Sequence, residues 1–220
     1  MKILITSGAT REPIDAVRFL SNVSTGATGA TLADSFRQQG HDVTVLHGTG
    51  AIRPGLVTDR EEYSTAADLR KRLQHRLASG KYDLVVMCAA VSDYRPRRAR
   101  KGKLRSDAPK LTLTLVRNAK ILPHLKSFSP RPVRVVGFKL TAGAAATARK
   151  KAVNAVFAQG GVDIVVSNDL LRIGARRTHP FSIHGGKDDL GIEVHGAPSL
   201  AVALIHLLPL LELVEKGLGA

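Results

Sequence analysis

The chain has 220 residues, 44% of them hydrophobic, which is enough to bury one sizeable core. We therefore expect a single domain over residues 1–220. No apolar run is long enough to span a bilayer. The opening MKILITSG lacks the charged region, long apolar stretch and cleavage site of a signal peptide, so a cytoplasmic protein is expected.

The formal charge of +15 and the pI near 10.5 indicate a partner rich in phosphate or carboxylate groups. Nucleic acid is one such partner, and nucleotides with phosphorylated metabolites are another. Only 4% of the residues are aromatic and none is Trp, which disfavours a single-strand binder that stacks bases on aromatic rings. The one cysteine, Cys88, lies in the apolar run LVVMCAA, which favours a small buried side chain over a catalytic thiol.

Apolar strand patterns alternate with helical patterns along the chain. The strands are expected, in order, at 2–7, 41–48, 82–90, 111–116, 133–138 and 162–168. The helices are expected at 26–39, 66–78, 119–127, 144–159 and 198–216. Mostly apolar strands separated by helices are typical of parallel βαβ units, so we predict a three-layer α/β/α sandwich of Rossmann-like type with a mainly parallel sheet.

Two parts of the chain are expected to depart from that parallel sheet. LTLTLV (111–116) alternates and predicts a half-exposed strand, and the segments around FSIHGG and GIEVHG resemble it. Together they are predicted to form a small, partly antiparallel flap or edge. Ligands bind at the carboxyl ends of parallel strands, which selects the chain after Ser7, Gly48, Ala90 and Phe138.

The segment after the first predicted strand contains small residues in a pattern that suits a phosphate. Gly8 follows the strand directly, and STGATG opens a helix with Gly26. Backbone N–H groups at such a helix start favour an anion, and the Ser24 and Thr25 hydroxyls can add donors. On glycine pattern alone, a tight turn with a helix cap explains the segment at least as well as a phosphate site.

Between those glycines lies a charged insert that includes Arg11, Glu12, Asp15, Arg18 and Asn22. Arg18 can pair with a carboxylate or phosphate, and the Asn22 amide can donate to a developing oxyanion or hold an acyl intermediate. The alternative is a solvated loop with internal salt bridges, which the residues alone slightly favour.

Two further strand ends have candidate nucleotide contacts. Ala89 and Ala90 allow a flat ligand to approach the backbone, and Asp93 can accept hydrogen bonds from a base or ribose, help hold a metal, or cap a turn. Phe138 can stack on a base or be an ordinary core residue. The eight histidines show no zinc spacing, so no metal site built from protein ligands is predicted.

A basic run follows the third strand: seven of the eleven residues from 95 to 105 are Lys or Arg. Such a run is usually a mobile, solvated face. It can also close over a triphosphate, with Lys103 neutralising charge that forms on the α-phosphate, or contact nucleic acid through phosphates.

Six segments occur in the order and form seen in a known enzyme family. They are ITSGATREPIDAVRFLSNVSTGATG, CAAVSDYRP, GKLRS, LTLTLVRNAKIL, VVGFKL and VDIVVSNDL. The chain therefore resembles phosphopantothenoylcysteine synthetases from residue 2 to about residue 170. The resemblance implies a ligase of coenzyme A biosynthesis that consumes a nucleoside triphosphate, CTP or ATP, with Mg²⁺. Its substrates would be 4′-phosphopantothenate and cysteine, joined through an acyl-nucleotidylate with release of pyrophosphate.

The resemblance also implies roles for individual residues. Asn22, its neighbour Arg18 and the loop lysine Lys103 would be catalytic. The nucleotide would contact Gly8, Ser24, Thr25, Gly26, Ala89, Ala90, Asp93 and Phe138. The expected protein is a free-standing, homodimeric synthetase domain without a membrane segment.

Departures from the family pattern leave a second hypothesis open. Ala27 stands where a lysine is common, Ala119-Lys120 replaces Pro-Asp, and Pro198-Ser199 replaces Ser-Lys. These changes are compatible with a paralogue that has a shifted substrate or that binds nucleotide or nucleic acid without catalysis. A dinucleotide oxidoreductase is disfavoured, because no G-x-G-x-x-G follows strand one and no acidic residue ends HDVTVLHG.

Overall fold

The computed structural model describes residues 1–105, 107, 109–173 and 179–215, the last five of these by backbone alone. Twelve strands fall within these residues: β1 (Lys2–Ser7), β2 (Arg11–Pro13), β3 (Phe19–Ser21), β4 (Asp42–Gly48), β5 (Arg60–Tyr63), β6 (Leu84–Met87), β7 (Tyr94–Pro96), β8 (Leu115–Arg117), β9 (Arg134–Thr141), β10 (Ile164–Asp169), β11 (Pro180–His184) and β12 (Ile192–His195). The α-helices are α1 (Ala27–Gln38), α2 (Ala66–Leu77), α3 (Ala146–Gln159) and α4 (Ala197–Glu215).

Eight strands form one sheet in the order β12-β11-β10-β9-β6-β1-β4-β5. The strands from β10 to β5 are parallel, whereas β11 pairs antiparallel with both β10 and β12. The carboxyl ends of β1, β4, β6 and β9 therefore lie along one edge of the sheet. Two short antiparallel hairpins, β2–β3 and β7–β8, stand apart from the sheet and contact each other through β2 and β7.

Helices cover both faces of the sheet. Side chains alternate along β1, so Ile3 and Ile5 pack in one core cluster with α1 and α4 while Leu4 packs in another with α2. The second face also holds α3 and two 3₁₀ helices, Leu122–His124 and Lys126–Phe128. The predicted three-layer α/β/α fold with a mainly parallel sheet is confirmed, as is an antiparallel edge around FSIHGG and GIEVHG.

Several predicted elements differ from those observed. LTLTLV contributes only its last two residues to a strand, β8, which pairs with β7 outside the main sheet. The alternation was misleading because Leu111, Leu113 and Leu115 are all exposed, so neither face of this segment lies on the core. The third strand stops at Met87, and 119–127 forms the two 3₁₀ helices in place of one α-helix.

The sequence analysis did not predict β5 or the hairpin β2–β3. Both are short: β5 has four residues at the sheet edge, and the hairpin strands have three residues each. Residue 216, the predicted end of the last helix, lies outside the described residues, as do Ser106 and Ala108 of the predicted basic loop. Within the described residues, no helix combines the length and apolar character needed to cross a bilayer.

Candidate functional site

The carboxyl end of β1 meets the start of α1 at a junction of glycines. Gly8 has φ 82°, and a Cβ added there would lie 2.5 Å from the Cβ of Ala51. A Cβ on Gly26, which has φ 79°, would lie 3.0 Å from both Ala51 Cβ and Ser7 Oγ. The Ser7 hydroxyl donates a 2.9 Å hydrogen bond to the Gly26 carbonyl. Only glycine permits this approach, and it brings two predicted phosphate-contacting residues side by side.

The first turn of α1 has properties that suit an anion. Gly26 provides no side-chain cap, and the first turn contains no acidic residue. Ser24 and Thr25 are exposed immediately before it, and Thr25 Oγ1 accepts a hydrogen bond from the Ala27 N–H at 3.3 Å. Because the first N–H groups of a helix lack partners inside the helix, this end is electropositive even without the lysine that Ala27 replaces.

A buried tyrosine that the sequence analysis did not single out stabilises the junction. The Tyr63 hydroxyl, at the end of β5, donates to the carbonyls of Ser7 and Gly8 at 2.8 and 3.2 Å. Desolvation raises the pKa of Tyr63 far above its usual value, so the hydroxyl stays a donor. No sequence signal indicated this role, because β5, which carries Tyr63, was itself not predicted.

Ala89 and Ala90 continue beside Gly8 after β6 has ended. The Ala90 N–H donates to the Gly8 carbonyl at 2.8 Å, and the Thr10 N–H donates back to the Ala90 carbonyl at 3.2 Å. The Ala89 N–H is held by Thr6 Oγ1 at 3.1 Å. The two alanines are half-buried, so one face of this pair of segments stays accessible at the sheet edge.

Asn22 joins the same group of residues from the end of the β2–β3 hairpin. Its side chain is exposed, and Nδ2 donates to the Val91 carbonyl at 3.3 Å. Ser21, its neighbour, donates to the Thr10 carbonyl at 2.8 Å. Hydrogen bonds made by these residues or by their immediate chain neighbours therefore link five predicted site residues: Gly8, Gly26, Ala89, Ala90 and Asn22.

The charged insert is largely ordered by buried carboxylates. Glu12 is 2% exposed, and its Oε1 accepts the Ala66 N–H at the start of α2 at 2.8 Å. Asp15 is also buried and pairs with Arg18 at 2.9 Å. The alternative hypothesis of a solvated loop with internal salt bridges is met in part: one internal ion pair forms and much of the insert is exposed. The two carboxylates are buried, because each has backbone N–H partners.

The basic loop contacts that insert. Arg18 Nη1 donates to the Leu104 carbonyl at 3.4 Å, and the Arg100 N–H donates to the Ile14 carbonyl at 3.0 Å. The loop borders two cavities of about 700 and 650 Å³, the first of which also reaches Ile14 and Leu113. Lys103 lies in the lining of the second cavity and is exposed. Arg18, which belongs to the same hairpin region as Asn22, thus contacts the loop segment that contains Lys103.

Asp93 lies beyond the end of β6 and forms an ion pair with Lys120, with Oδ1 2.6 Å from Nζ. Asn118 fixes the backbone of this segment: its N–H donates to the Asp93 carbonyl at 2.8 Å and its Nδ2 to the Ser92 carbonyl at 2.9 Å. The Ser92 hydroxyl is buried and has no hydrogen-bond partner within the described residues. The lysine that departs from the family pattern therefore meets the aspartate predicted to contact nucleotide.

Phe138 lies within β9, and Cys88 directly follows the end of the neighbouring strand β6. Phe138 is half-buried, packs against the core of the α1 face and meets Phe181 edge to face at a centroid distance of 6.4 Å. It is thus partly a core residue.

Desolvation raises the pKa of the Cys88 thiol to about 12, so at neutral pH it is a protonated, apolar side chain and a poor nucleophile.

Residues 1–180 match the model of the family described as DNA/pantothenate metabolism flavoprotein C-terminal domain. The chain belongs to this family. The family predicted from the motifs is confirmed, and every candidate site residue, from Gly8 to Phe138, lies inside the matched part.

Members of this family include the coenzyme A biosynthesis bifunctional proteins CoaBC. The Thermococcus kodakarensis protein is 33% identical over 174 residues, which cover 79% of this chain and 42% of that protein. The Escherichia coli K12 protein is 28% identical over 174 residues, covering 77% and 41%. This chain therefore spans less than half the length of these relatives.

Solved structures in the DNA/pantothenate metabolism flavoprotein family share the fold. The Streptococcus pneumoniae protein of that name aligns with a TM-score of 0.83 and 24% identity, covering 95% of this chain and 98% of that one. A Cab2 mutant in complex with phosphopantothenate-cysteine aligns with a TM-score of 0.80 and 19% identity, covering 98% and 88%. At these identities the likeness shows the fold alone.

Proposed function

We propose that this chain joins 4′-phosphopantothenate to cysteine in coenzyme A biosynthesis. A nucleoside triphosphate, CTP or ATP, activates the carboxylate as an acyl-nucleotidylate and releases pyrophosphate. The cysteine amine then attacks the acyl carbon, and the nucleoside monophosphate leaves. The observation that carries this proposal is the family match over residues 1–180, which includes all the candidate site residues. We also propose that residues 1–220 act as one synthetase domain in the cytoplasm.

The contacts suggest which residues bind the phosphates and which bind the nucleoside. The electropositive start of α1, with Gly8, Gly26, Ser24 and Thr25, would hold phosphate oxygens. Ala89, Ala90, Asp93 and Phe138 would surround the nucleoside. Most of these groups follow the ends of β1 and β6, and Phe138 lies near the end of β9, so a nucleotide extended along this edge of the sheet would meet them in turn.

Three polar side chains would act on the reacting centre. Asn22 would donate its amide to the carbonyl oxygen of the acyl intermediate as negative charge develops there. Arg18, whose guanidinium is partly exposed beside Asp15, would pair with the substrate's anionic groups. Lys103 would neutralise charge on the α-phosphate and assist departure of the nucleoside monophosphate.

Mg²⁺ would arrive bound to the triphosphate. The described residues contain no group of three or more His, Cys, Asp or Glu side chains placed to hold a metal. Mg²⁺ usually keeps several waters and binds substrate phosphates with one or two carboxylates, so the proposal needs no such group. Asp93, which pairs with Lys120 through Oδ1, is the residue that would contact it. Bound Mg²⁺ supplies charge neutralisation on the phosphates.

A homodimer is part of this proposal. The β2–β3 hairpin region exposes Val17 and Phe19, and Val23 just beyond it is fully exposed. Apolar side chains grouped in this way are typical of a surface that another subunit covers. Light scattering of the full chain would give twice the monomer mass if the proposal is correct.

The reaction is tested by supplying 4′-phosphopantothenate, cysteine, Mg²⁺ and either CTP or ATP, and by following pyrophosphate release. The expected result is release that depends on all components, and the preferred nucleotide follows from the same assay. Asn22→Asp and Lys103→Gln should keep the melting temperature and suppress amide formation. No release with either nucleotide would contradict the proposal. Tight duplex or single-strand binding across a salt series would then favour the non-catalytic alternative.

A further inference from the structure

One buried carboxylate joins the basic loop to the charged insert. The Asp15 side chain is fully buried and accepts four hydrogen bonds. Oδ1 accepts the N–H groups of Val17 at 2.9 Å and Arg18 at 2.7 Å, which closes the turn to which Asp15 itself belongs. Oδ2 accepts Arg18 Nη1 at 2.9 Å and the N–H of Leu104, 89 residues away, at 3.0 Å. The two oxygens therefore have separate partners.

The Leu104 residue is held at both of its backbone polar groups. Its N–H donates to Asp15, and its carbonyl accepts from Arg18, the ion-pair partner of Asp15. Four residues earlier, the Arg100 N–H donates to Ile14 in the same turn. A backbone held at 100 and at 104 leaves Lys103 little freedom to move along the surface.

The contact with Asp15 matters because the loop that it holds is strongly basic. The loop from 95 to 105 contains seven basic residues, and Arg18 adds another positive charge where it docks. Like charges at this spacing repel one another, so the loop needs a counter-charge to remain against the hairpin. The N–H of Leu104, followed by those of Val17 and Arg18 and the Arg18 charge, lowers the pKa of Asp15, which keeps the carboxylate ionised.

We propose that Asp15 is a positioning residue for catalysis, which acts through Arg18 and Leu104 to place Lys103 against the reacting phosphate. This assignment rests on the proposed function, since it gives Lys103 its task. Asp15 does not itself touch substrate. Its contribution is to restrict the loop before the triphosphate arrives, so that less conformational freedom is lost when the reaction begins.

The Asp15→Asn variant separates the two roles of the side chain. Asparagine keeps one carbonyl oxygen, which can still accept the Val17 and Arg18 N–H groups and close the turn. Its amide nitrogen replaces Oδ2 and cannot accept from Leu104 or pair with Arg18. We expect trypsin to cut the bond between Lys103 and Leu104 about tenfold faster than in the unmodified chain. We also expect kcat to fall about tenfold or more, with KM for cysteine within about twofold.

Asp68→Asn is the matched control, because Asp68 also pairs with an arginine and accepts a backbone N–H, but on α2. Because the Asp68 side chain is 32% exposed, this variant should lower the melting temperature less than Asp15→Asn, and it should leave loop cleavage and kcat unchanged. If Asp15→Asn does not fold, Leu104→Pro removes the same N–H and leaves Asp15 intact. Because trypsin does not cut a Lys–Pro bond, loop cleavage is then followed at Lys101–Gly102, where the same increase and the same fall in kcat are expected. The proposal is overturned if loop cleavage, or kcat, stays within twofold of the unmodified chain in the variant that folds.

The two proposals fail in different ways. A chain that releases no pyrophosphate with either nucleotide contradicts the proposed ligase, whereas the cleavage rate at Lys103–Leu104 still tests the contact between Asp15 and the loop. A ligase with full activity in Asp15→Asn would leave the proposed function in place and remove the positioning role.

Discussion

The candidate site has two halves that are fixed in different ways. The junction around Gly8 and Gly26 is fixed by close backbone contact, with hydrogen bonds from Ser7 and Tyr63 to carbonyl groups. The basic loop is fixed by side-chain charge, through Asp15 and Arg18 on the backbone of Leu104. The first half is a packing constraint, and the second is an electrostatic one.

This difference predicts how each half responds to change. A packed junction tolerates no added atom but is insensitive to pH and salt, because it involves no ionisable group in its ionised form. A loop held by one carboxylate tolerates changes in size and is sensitive to the charge of that carboxylate. This difference agrees with the proposed function, in which a rigid junction would hold phosphate and a less rigid loop would admit substrate.

Gly8→Ala should have the largest effect, by placing a Cβ 2.5 Å from that of Ala51 in a backbone with φ 82°. We expect a loss of about 2 to 5 kcal/mol in the free energy of unfolding, from left-handed strain of about 1–2 and overpacking of about 1–3. Urea unfolding followed by circular dichroism measures it.

Gly40→Ala is the control for backbone strain, because Gly40 also has φ 82° but no atom lies within 4 Å of its added Cβ. It should cost only about 1–2 kcal/mol. Equal losses in the two variants would show that close contact does not fix the junction.

Tyr63→Phe should have the next largest effect. It removes the donor to Ser7 and Gly8 and should lower the free energy of unfolding by about 1 to 3 kcal/mol. Tyr82→Phe is the matched control, since the Tyr82 hydroxyl is also buried and donates to Thr44 Oγ1 at 3.1 Å. Similar destabilisation is expected in both, but only Tyr63→Phe should raise KM for the triphosphate. If KM for the triphosphate rises in both variants, the cause is the general loss of stability and not the contacts of Tyr63.

These two halves also differ in how far the sequence could predict them. The glycines and the strand ends follow from local patterns, so the parallel sheet and the place of Gly8 and Gly26 beside its ligand edge could be predicted. Tyr63 could not, because its role depends on β5 pairing with β4 and carrying the ring to the end of β1. The contact between Asp15 and Leu104 joins positions 89 residues apart, and no local pattern indicates it.

The pH dependence of the loop should follow Asp15. Because its folded pKa is lowered, the stabilisation is fully present above the unfolded value of about 3.9 and is lost as pH falls through the lower folded value. Hydrogen exchange of the Leu104 amide, corrected for intrinsic rates, should show constant protection from pH 7 to about pH 4 and a decline below. Asp15→Asn should show weak protection without this step. If protection of the Leu104 amide begins to decline above about pH 5, an ionisable group other than Asp15 holds the loop in place.

Lys120→Ala should have the smallest effect on stability. The Lys120–Asp93 pair is exposed, with side-chain exposures of 61% and 65%, so its loss should change the free energy of unfolding by less than about 0.5 kcal/mol. The same change removes a positive charge beside the proposed nucleotide site, so its attraction for the triphosphate is lost. We therefore expect KM for the triphosphate to rise about two- to tenfold with kcat nearly unchanged. Lys2→Ala is the control, because Lys2 also pairs with an aspartate, Asp42, at 2.8 Å, but at the opposite end of the sheet. If the two lysine variants have the same KM, Asp93 lies outside the nucleotide site, and the electrostatic half of the site ends at the Asp15 contact.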